Sequence, residues 1–446
     1  MRRSSPTLRG SGMAGEWVAA PLGDLVEDIL DRRGVTPLKL GSDFVSAGHR
    51  VISAKLVKSG RIDLAADEPR FVNDTTYQKW MRTPLLADDV LLTSEAPLGG
   101  VAYVGAASDW VLGQRLFAIR TDKRRLHGRF LFYALQCEPM RHGLQSRATG
   151  TTAQGIRQSE LRRVMVPLPP LAEQQRMADI LGTLDDKIEL NRRMSDTLEV
   201  IARALFKSWF VDFAPVRAKS EGRDPGVPPH LADLFPDSFE DSELGEIPKG
   251  WRVCGLDEIA TYLNGLALQK YPPDDSGYLP VIKIAQLRAG HTDGADQASS
   301  DIPPAYVVED GDILFSWSGS LEVEIWCGGR GALNQHLFKV TSDQVPKWFS
   351  FLWTRHHLAD FRGIAAGKAT TMGHIQRGHL SAASTLVPPQ PLLEAMSAHF
   401  APLLADVIVG QLQSRTLAAL RDALLPKLIS GELRMADAKR VLEAAS

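Results

Sequence analysis

The feature that most constrains this chain is an internal repeat. The stretch 148–174 (ATGTTAQGIRQSELRRVMVPLPPLAEQ) returns in degraded form at 367–395 (GKATTMGHIQRGHLSAASTLVPPQPLLEA). Three further matches follow the same order: DDVLLTS (88–94) with DGDILFS (310–316), GQRLF (113–117) with NQHLF (334–338), and RFLFYAL (129–135) with KWFSFLW (347–353). A chain with two similar halves is expected to form two similar modules that contact two similar partners at a fixed distance.

Each half has a module followed by a helical arm. The modules alternate short apolar runs with Gly, Asp and Pro breaks, a pattern typical of short strands with a few helices. The first arm has a seam with a spacing near 3.5, at Met177, Leu181, Leu184, Ile188, Asn191, Met194, Leu198, Ile201 and Leu205. The second arm repeats it at Met396, Phe400, Leu403, Val407, Leu417, Leu420, Leu424 and Leu428. Prolines precede both arms and predict where the helices begin.

A single amphipathic helix of this length is not stable alone, and the obvious partner of each arm is the other arm. The prediction is an α+β fold in which two mixed α/β modules are separated by two long helices that pair as an antiparallel coiled coil, with a pseudo-twofold internal repeat. Asn191 lies in the seam, where a buried polar residue can specify register. A partly exposed asparagine near a helix bend is the open alternative.

The predicted domain bounds follow from these patterns. They are a disordered N-terminal tail (1–14), the first module (15–170), the central arm (171–213), a linker rich in Pro, Gly and acidic residues (214–250), the second module (251–388), the C-terminal arm (389–433) and a tail (434–446).

Charge is unevenly distributed along the chain, although the formal net charge is only −2. Residues 1–170 hold 24 Lys and Arg against 17 Asp and Glu, whereas residues 251–388 hold 11 against 14. Binding to phosphate requires a local basic surface, which the first module has in its composition. The acidic balance of the second module counts mildly against a nucleic-acid role there.

Motifs for catalysis are missing from the sequence. There is no GxxxxGK[ST] and no GxGxxG, and no Asn-Pro-Pro-aromatic or Asp-Pro-Pro-aromatic run. The acidic pairs Asp310/Asp312 and Glu322/Glu324 are a weak match to nuclease-like metal ligands, but carboxylate pairs are common on exposed loops. The three cysteines (Cys137, Cys254, Cys327) lie far apart and are typical of buried thiols in a reducing cytoplasm. No uninterrupted apolar run is long enough to span a membrane.

Three segments resemble the specificity subunit of type I restriction–modification systems. They are the central VPLPPLAEQQRMADILGTLDDKIELNRRMSDTLEVIARALFKSWFVDF (166–213), the opening EWVAAPLGDLVE (16–27) and the ending LRDALLPKLISGEL (420–433). The resemblance covers about 15–435. It implies that the two modules are target-recognition domains, each of which reads one half of a split, asymmetric DNA sequence, and that the subunit itself performs no chemistry.

The same resemblance implies the partners. Two methyltransferase subunits, which bind S-adenosylmethionine, are expected to dock against the specificity subunit. Two restriction subunits, which use ATP and Mg, are expected to join them. The assembly is expected to act on double-stranded DNA in the cytoplasm. No cofactor or metal is expected on this chain. The second proline junction (VPPQPLLEA) lacks the EQ dipeptide of the first and is a departure from the family pattern.

DNA reading requires Arg, Lys, Asn and Gln side chains at base edges, with phosphate contacts that position the module. The candidates in the first module are Lys55, Lys58, Arg61, Lys79, Arg82, Gln114, Arg147, Thr151, Thr152, Gln154 and Arg157. Those in the second are Gln269, Lys270, Lys283, Gln286, Arg288, Lys368, Thr370, Thr371 and Arg377. The paired threonines repeat irrespective of target, which favours a structural or phosphate role for them over base reading.

Two other functional classes stay open on the sequence. The chain could be a protein-binding scaffold that never contacts DNA, for which the acidic second module is the best support. A self-contained nuclease or methyltransferase has little support because the motifs are missing.

Overall fold

The computed structural model describes residues 17–58, 60–150, 154–273, 277–367, 373–434 and 437. The chain divides into two compact units. Unit 1 is drawn from residues 1–187 and 417–446, and unit 2 from residues 188–416. The predicted tail 1–14 lies outside the described residues, as does most of the predicted tail 434–446.

Unit 1 consists mainly of short antiparallel strands. Its strands are β1 (Val18–Pro21), β2 (Val26–Asp31), β3 (His49–Ile52), β4 (Val57–Lys58), β5 (Arg61–Ile62), β6 (Phe71–Val72), β7 (Val90–Thr93), β8 (Val101–Tyr103), β9 (Val111–Leu112), β10 (Leu116–Thr121) and β11 (Met165–Leu168). Its helices are α1 (Asp74–Trp80), α2 (Gly128–Ala134), α3 (Glu138–Gln145), α4 (Gln158–Leu161) and the first part of the long α5 (Leu171–Phe206). The strand orders are β2-β10-β7-β8, β6-β3-β9, β1-β11 and β4-β5.

Unit 2 holds the rest of α5, which ends in a π-helical turn at Lys207–Val211. Its helices are α6 (Ala214–Ser220), α7 (Pro229–Ala232), α8 (Leu256–Ile259), α9 (Ile284–Ala289), α10 (Lys347–His356), α11 (Leu358–Ala366), α12 (Arg377–Ser381) and most of the long α13 (Gln390–Ser430). Its strands are β12 (Phe239–Ser242), β13 (Gly245–Pro248), β14 (Arg252–Gly255), β15 (Thr261–Asn264), β16 (Tyr278–Ile282), β17 (Gln297–Ser299), β18 (Val307–Val308), β19 (Ile313–Ser316), β20 (Val323–Ile325), β21 (Gly331–Leu333), β22 (Leu337–Thr341) and β23 (Ser384–Val387).

The sheets confirm the internal repeat. The order β15-β22-β19-β20 in unit 2 reproduces β2-β10-β7-β8 in unit 1, and the pair β14-β23 reproduces β1-β11. Each unit also has one parallel pair in its second sheet, β3 with β9 in unit 1 and β16 with β21 in unit 2. Two sheets with the same unusual parallel pair, in the same chain order, identify one module built twice.

The two arms pair inside the cores. In unit 2, Asn191 contacts Gly410, while Leu198 and Ala202 line one cavity with Leu403 and Val407. Residue numbers rise along α5 as they fall along α13, so the helices run antiparallel in this unit. In unit 1 the buried cluster contains apolar residues of both arms: Met177, Leu181, Leu184, Leu424, Leu425 and Leu428.

The predicted seam is partly wrong on the first arm. Met194 and Ile201 are 42% and 43% exposed, and Ser195 and Ala202 are buried in their place. Small side chains suit this position because the partner helix places Gly410 here, where two backbones can approach closely. Hydrophobicity alone therefore placed the buried stripe of α5 one residue too early at these two positions after Asn191.

The prediction of a linker at 214–250 also needs correction. This stretch contains α6, α7 and the β12–β13 hairpin. Val216, Leu231, Phe235 and Ile247 are buried in the main core of unit 2. The stretch is rich in Pro and acidic residues, and its apolar residues are widely spaced, so its composition does not indicate structure. These apolar residues are nevertheless buried against the module and fix the stretch in place.

Helix α13 passes a length and hydropathy test for a membrane span. An 18-residue window within it has a mean hydropathy of 1.5 and is 33% buried. Its buried face packs against α5 and the module, with Trp348 stacked on Phe400 at 4.3 Å between ring centroids. A core helix of a soluble protein passes the same test, so the apolar window alone is weak evidence for a membrane.

Candidate nucleic-acid interface

Three chain segments meet at one edge of the main sheet in unit 1. The amide of Ser94, just after β7, donates to the carbonyl of Arg115 at 2.9 Å, and the amide of Ile156 donates to the carbonyl of Ser94 at 2.9 Å. Gln158 extends the junction because its Nε2 donates to the carbonyl of Ile29 on β2 at 2.8 Å. Arg115 is left-handed, with φ of 64°, a conformation uncommon outside glycine and concentrated at functional sites.

Unit 2 builds the same junction from different side chains. The amide of Trp317 donates to the carbonyl of His336, and the amide of Ile375 donates to the carbonyl of Trp317 at 3.0 Å. Arg377 donates to the carbonyl of Tyr262 on β15 at 3.3 Å. The hydroxyl of Ser318 lies 3.0 Å from Nδ1 of His336. The backbone is thus constant between the modules while the side chains at the junction differ.

The junctions correct the alignment of the repeat by one residue. The sequence paired Ser94 with Ser316, but it is Thr93 whose hydroxyl reproduces the contacts of the Ser316 hydroxyl. Thr93 Oγ1 donates to the carbonyl of Pro97 at 2.6 Å, and Ser316 Oγ donates to the carbonyl of Ser320 at 2.6 Å. Each hydroxyl also accepts a backbone amide, from Gly100 and Glu322 respectively.

The repeated threonines fall between described parts of these junctions. Thr151, Thr152, Lys368, Thr370 and Thr371 lie outside the described residues, so their predicted phosphate or structural role stays a prediction. The described flanks do converge on the junctions: Gly155 bridges to Glu95 in unit 1, and His374 bridges to Ser318 in unit 2.

The comparisons with known proteins point to one family. A family model described as the type I restriction modification DNA specificity domain matches residues 16–200. The MjaIX specificity subunit of Methanocaldococcus jannaschii is 29% identical over 359 residues, which cover 78% of each chain. The HindI specificity subunit of Haemophilus influenzae is 24% identical over 77% of this chain and 86% of its own. The chain is therefore similar to the specificity subunits of type I restriction–modification systems.

A solved structure shows that the fold is shared as well. The S subunit from M. genitalium superposes with a TM-score of 0.51 at 15% identity, and the match covers 95% of this chain and 99% of that one. The structural match carries the fold, whereas the relatives, which are named specificity subunits of type I restriction enzymes, support DNA recognition rather than catalysis as the role of this chain. The scaffold interpretation is not favoured, because the relatives are specificity subunits.

The DNA-contact candidates of the first module have different environments. Lys58 and Arg61 are directly opposite on the β4–β5 hairpin. Like charges facing one another destabilise a hairpin unless an anion lies between or above them, so this pair favours a phosphate contact. Arg61 lies 3.6 Å from Asp63, a weak exposed pair that leaves its charge accessible.

Other cations of this module are also exposed. Lys79, Arg82 and Arg157 are exposed, and the described residues offer them no ion pair. Lys55 lies 3.3 Å from Asp67, and Arg147 lies 4.0 Å from Glu160. Gln154 is exposed next to the undescribed threonines.

Gln114 has a structural task that its sequence does not reveal. Its Oε1 accepts the amide of Gly34 at 3.1 Å, and its Nε2 donates to the carbonyl of Val35 at 2.8 Å. It closes the turn beside Arg33, whose guanidinium lies 4.2 Å from the centroid of the Phe117 ring. Base reading by Gln114 would have to use the remaining amide hydrogen or lone pair while these two hydrogen bonds hold the side chain in place.

The DNA-contact candidates of the second module also divide into exposed side chains and side chains engaged in structural contacts. Gln269, Lys270 and Arg288 are exposed, and no ion pair to them occurs among the described residues. Lys283 is paired with Asp296, and Gln286 caps α9 by accepting the amide of Lys283 at 3.3 Å. The guanidinium of Arg377 lies 5.7 Å from the centroid of the Phe338 ring, which adds to its hydrogen bond with Tyr262.

Sequence reasoning missed Arg115, Trp317 and His336 as candidates. Arg115 is 55% exposed, and its Nε lies 3.4 Å from Glu95 Oε1. Trp317 donates its indole N–H to Asn264 at 2.8 Å and packs 5.7 Å from the His336 ring. The signal that could have found the pair Arg115 and His336 was in the repeat, because GQRLF and NQHLF place different side chains at one equivalent site.

Three of the four acidic residues considered as metal ligands are paired with cations. Asp310 accepts a bidentate pair from Arg415 at 2.7 Å, and Asp312 lies 2.7 Å from Lys339. Glu322 accepts from Arg362 at 2.8 Å. Within the part of the chain that the structure describes, no group of His, Cys, Asp and Glu is arranged to hold a metal ion.

A hydrogen bond in unit 1 and an ion pair in unit 2 join each module to the first arm. In unit 1 the hydroxyl of Tyr133 donates to Asp185 at 2.5 Å, and Asp185 also accepts from Arg421 of α13 at 2.7 Å. Burial and the neighbouring Asp185 raise the pKa of Tyr133, so its hydroxyl stays a donor. In unit 2, Arg355 of α10 lies 2.9 Å from Glu199. These contacts hold each recognition sheet in a defined orientation on α5.

Proposed function

We propose that this subunit reads a split, asymmetric DNA sequence, one half with the module at 15–170 and the other with the module at 251–388. The observation that carries the proposal is the duplicated junction at the end of β7 and β19, with a common backbone and different side chains. A single site read twice would be expected to keep the same side chains. The antiparallel arms are consistent with half-sites met in opposite orientations.

The arms are proposed to set the gap between the half-sites and to dock two methyltransferase subunits. Two ATP-dependent restriction subunits complete the assembly, in which S-adenosylmethionine, ATP and Mg belong to the partner subunits. The complex acts on double-stranded DNA in the cytoplasm. The specificity subunits from M. jannaschii and H. influenzae, by name parts of type I restriction enzymes, support this assignment of partners.

Within each module, base reading is assigned to the side chains around the junctions and phosphate contact to the exposed cations. Lys58 and Arg61 are the best phosphate contacts in unit 1, because their charges face each other and the carboxylate of Asp63, 3.6 Å from Arg61, forms only a weak pair. Phosphate contacts position the module and base contacts select the sequence. Replacement of a phosphate contact is therefore expected to weaken binding to all sequences alike.

The test is to co-express the chain with the methyltransferase encoded beside it and to map methylated adenines in the host genome. The expected result is a split motif that disappears when this chain is deleted. Exchange of 15–170 for the corresponding module of a relative should change one half of the motif, and insertion of a heptad into both arms should change only the gap. A verified complex without sequence-specific methylation would overturn the proposal, and the scaffold interpretation would then gain.

A further inference from the structure

We infer that Asn191 and Gly410 form a polar lock that fixes the register between α5 and α13, and with it the gap between the half-sites. The inference rests on the proposed spacing function of the arms. Its physical basis is independent of that function, because it concerns how two long helices choose one alignment among several that bury similar apolar area.

Asn191 is fully buried in the helix pair. Its Nδ2 donates to the carbonyl of Gly410 at 3.3 Å and to Oε1 of Gln413 at 3.4 Å. Its Oδ1 is buried as well and has no hydrogen-bond partner among the described residues. Burial of an amide costs free energy unless the amide is hydrogen-bonded. This side chain therefore favours only those alignments of the two helices in which α13 places acceptors opposite position 191.

Gly410 supplies the acceptor because it lets the helices approach. A Cβ at this position would lie 3.3 Å from Oγ of Ser195 and 3.9 Å from Cβ of Asn191. Ser195 is one turn further along α5 and only 7% exposed. Glycine in a helix interior lowers helix stability, and its place here is explained by a close crossing in which even a Cβ would press on Ser195 Oγ.

Sliding by one heptad would destroy the lock. Asn191 would then face position 403 or 417, both leucines, and its amide would lose its partners. A leucine would also have to fit beside Ser195, where the present helix has no side chain. Seven residues at about 1.5 Å each are roughly 10 Å, which is on the order of three base pairs of B-DNA at about 3.4 Å per pair. The lock thus selects one gap length over its neighbours.

The experiment replaces each residue of the lock and measures the gap between the two half-sites. Asn191→Leu removes the polar requirement and makes the seam apolar, while Gly410→Ala disturbs the same contact from the opposite helix. The matched control is Val200→Leu, since Val200 lies on the same helix and is 56% exposed. Each variant is co-expressed with the methyltransferase, and the methylated motifs are sequenced.

For Asn191→Leu the expected result is a higher melting temperature together with a second population of motifs, with the same half-sites and a gap altered by about three base pairs. The wild type and Val200→Leu should show one gap. If Asn191→Leu is stabilised and keeps one unchanged gap, the apolar seam alone sets the register and the inference is overturned. A wild type that lacks a split motif would instead refute the proposed function.

A direct measurement covers the case in which a variant does not assemble with the methyltransferase. Nitroxide labels at the exposed positions Met194 and Val409, one on each helix, report the alignment of α5 and α13 in the isolated chain by their separation. A single separation is expected with Asn191 present and two separations with Asn191→Leu. One separation in both chains would contradict the lock.

Discussion

Glu324 is a partly buried carboxylic acid at the point where the main sheet of unit 2 meets the helix pair. It lines a small cavity together with Glu199, Arg203 and Arg355. Burial raises the pKa of this carboxyl to about 7, partly offset by Arg355. Replacement by glutamine keeps the shape of the side chain and removes the titrating proton, so Glu324→Gln isolates the effect of ionisation in this cavity.

The magnitude follows from the pKa. A carboxyl whose pKa rises from 4.5 in the unfolded chain to about 7 in the folded one binds more protons when folded between these two values. The free energy of unfolding therefore falls as the pH rises from 4.5 to 7 and is constant above, with a total loss of about 3 kcal/mol. Glu324→Gln lacks this loss, so its advantage over wild type should be about 2 kcal/mol larger at pH 8 than at pH 5.

The assay is urea unfolding of the full chain at pH 5 and pH 8, followed by tryptophan fluorescence. Six of the nine tryptophans belong to unit 2, so the signal reports mainly on the unit that contains Glu324. The control is Glu309→Gln, which removes an exposed pair with Arg330 and should change stability by about 1 kcal/mol or less at both pH values. Equal effects of Glu324→Gln at pH 5 and pH 8 would refute the reasoning.

Three further predictions concern separate parts of the molecule. Asp185→Asn leaves Arg421 with only the exposed Asp422 as a charge partner and should lower the free energy of unfolding by about 1–3 kcal/mol in urea melts, whereas Asp186→Asn, at a side chain 68% exposed, should cost about 1 kcal/mol or less. The double change Lys58→Gln and Arg61→Gln should reduce the slope of log K against log salt by about 2 in anisotropy titrations of the complex with DNA, and an altered methylated motif would assign base reading to the pair instead. Trp348→Ala removes the ring stacked on Phe400 and should destabilise unit 2 by about 3–5 kcal/mol, and a loss below 1 kcal/mol in the same melts would show that this stack contributes little.

Several contacts that matter for these predictions could not be read from the sequence. Gln114 resembled a base reader, yet both ends of its amide are engaged by the turn at Gly34 and Val35. The stretch 214–250 resembled a linker, yet Phe235 and Ile247 are buried in unit 2. In both cases the partners lie on other elements, many residues away, and composition over a local window carries no information about them.

The sequence by itself determined the elements that depend on local periodicity. The repeat, the short strands of each module and the helices after the prolines are all visible as spacing, because helices and strands present side chains at fixed intervals. Only the tertiary structure decided which stripe of α5 faces α13, since small residues such as Ser195 and Ala202 are buried where the backbones approach and Met194 and Ile201 are not. The one-residue shift between Thr93 and Ser316 was likewise decided by hydrogen bonds across the sheet. Periodicity is a property of the chain, whereas the choice of a partner depends on shape and on hydrogen bonds that exist only after the distant segments have met.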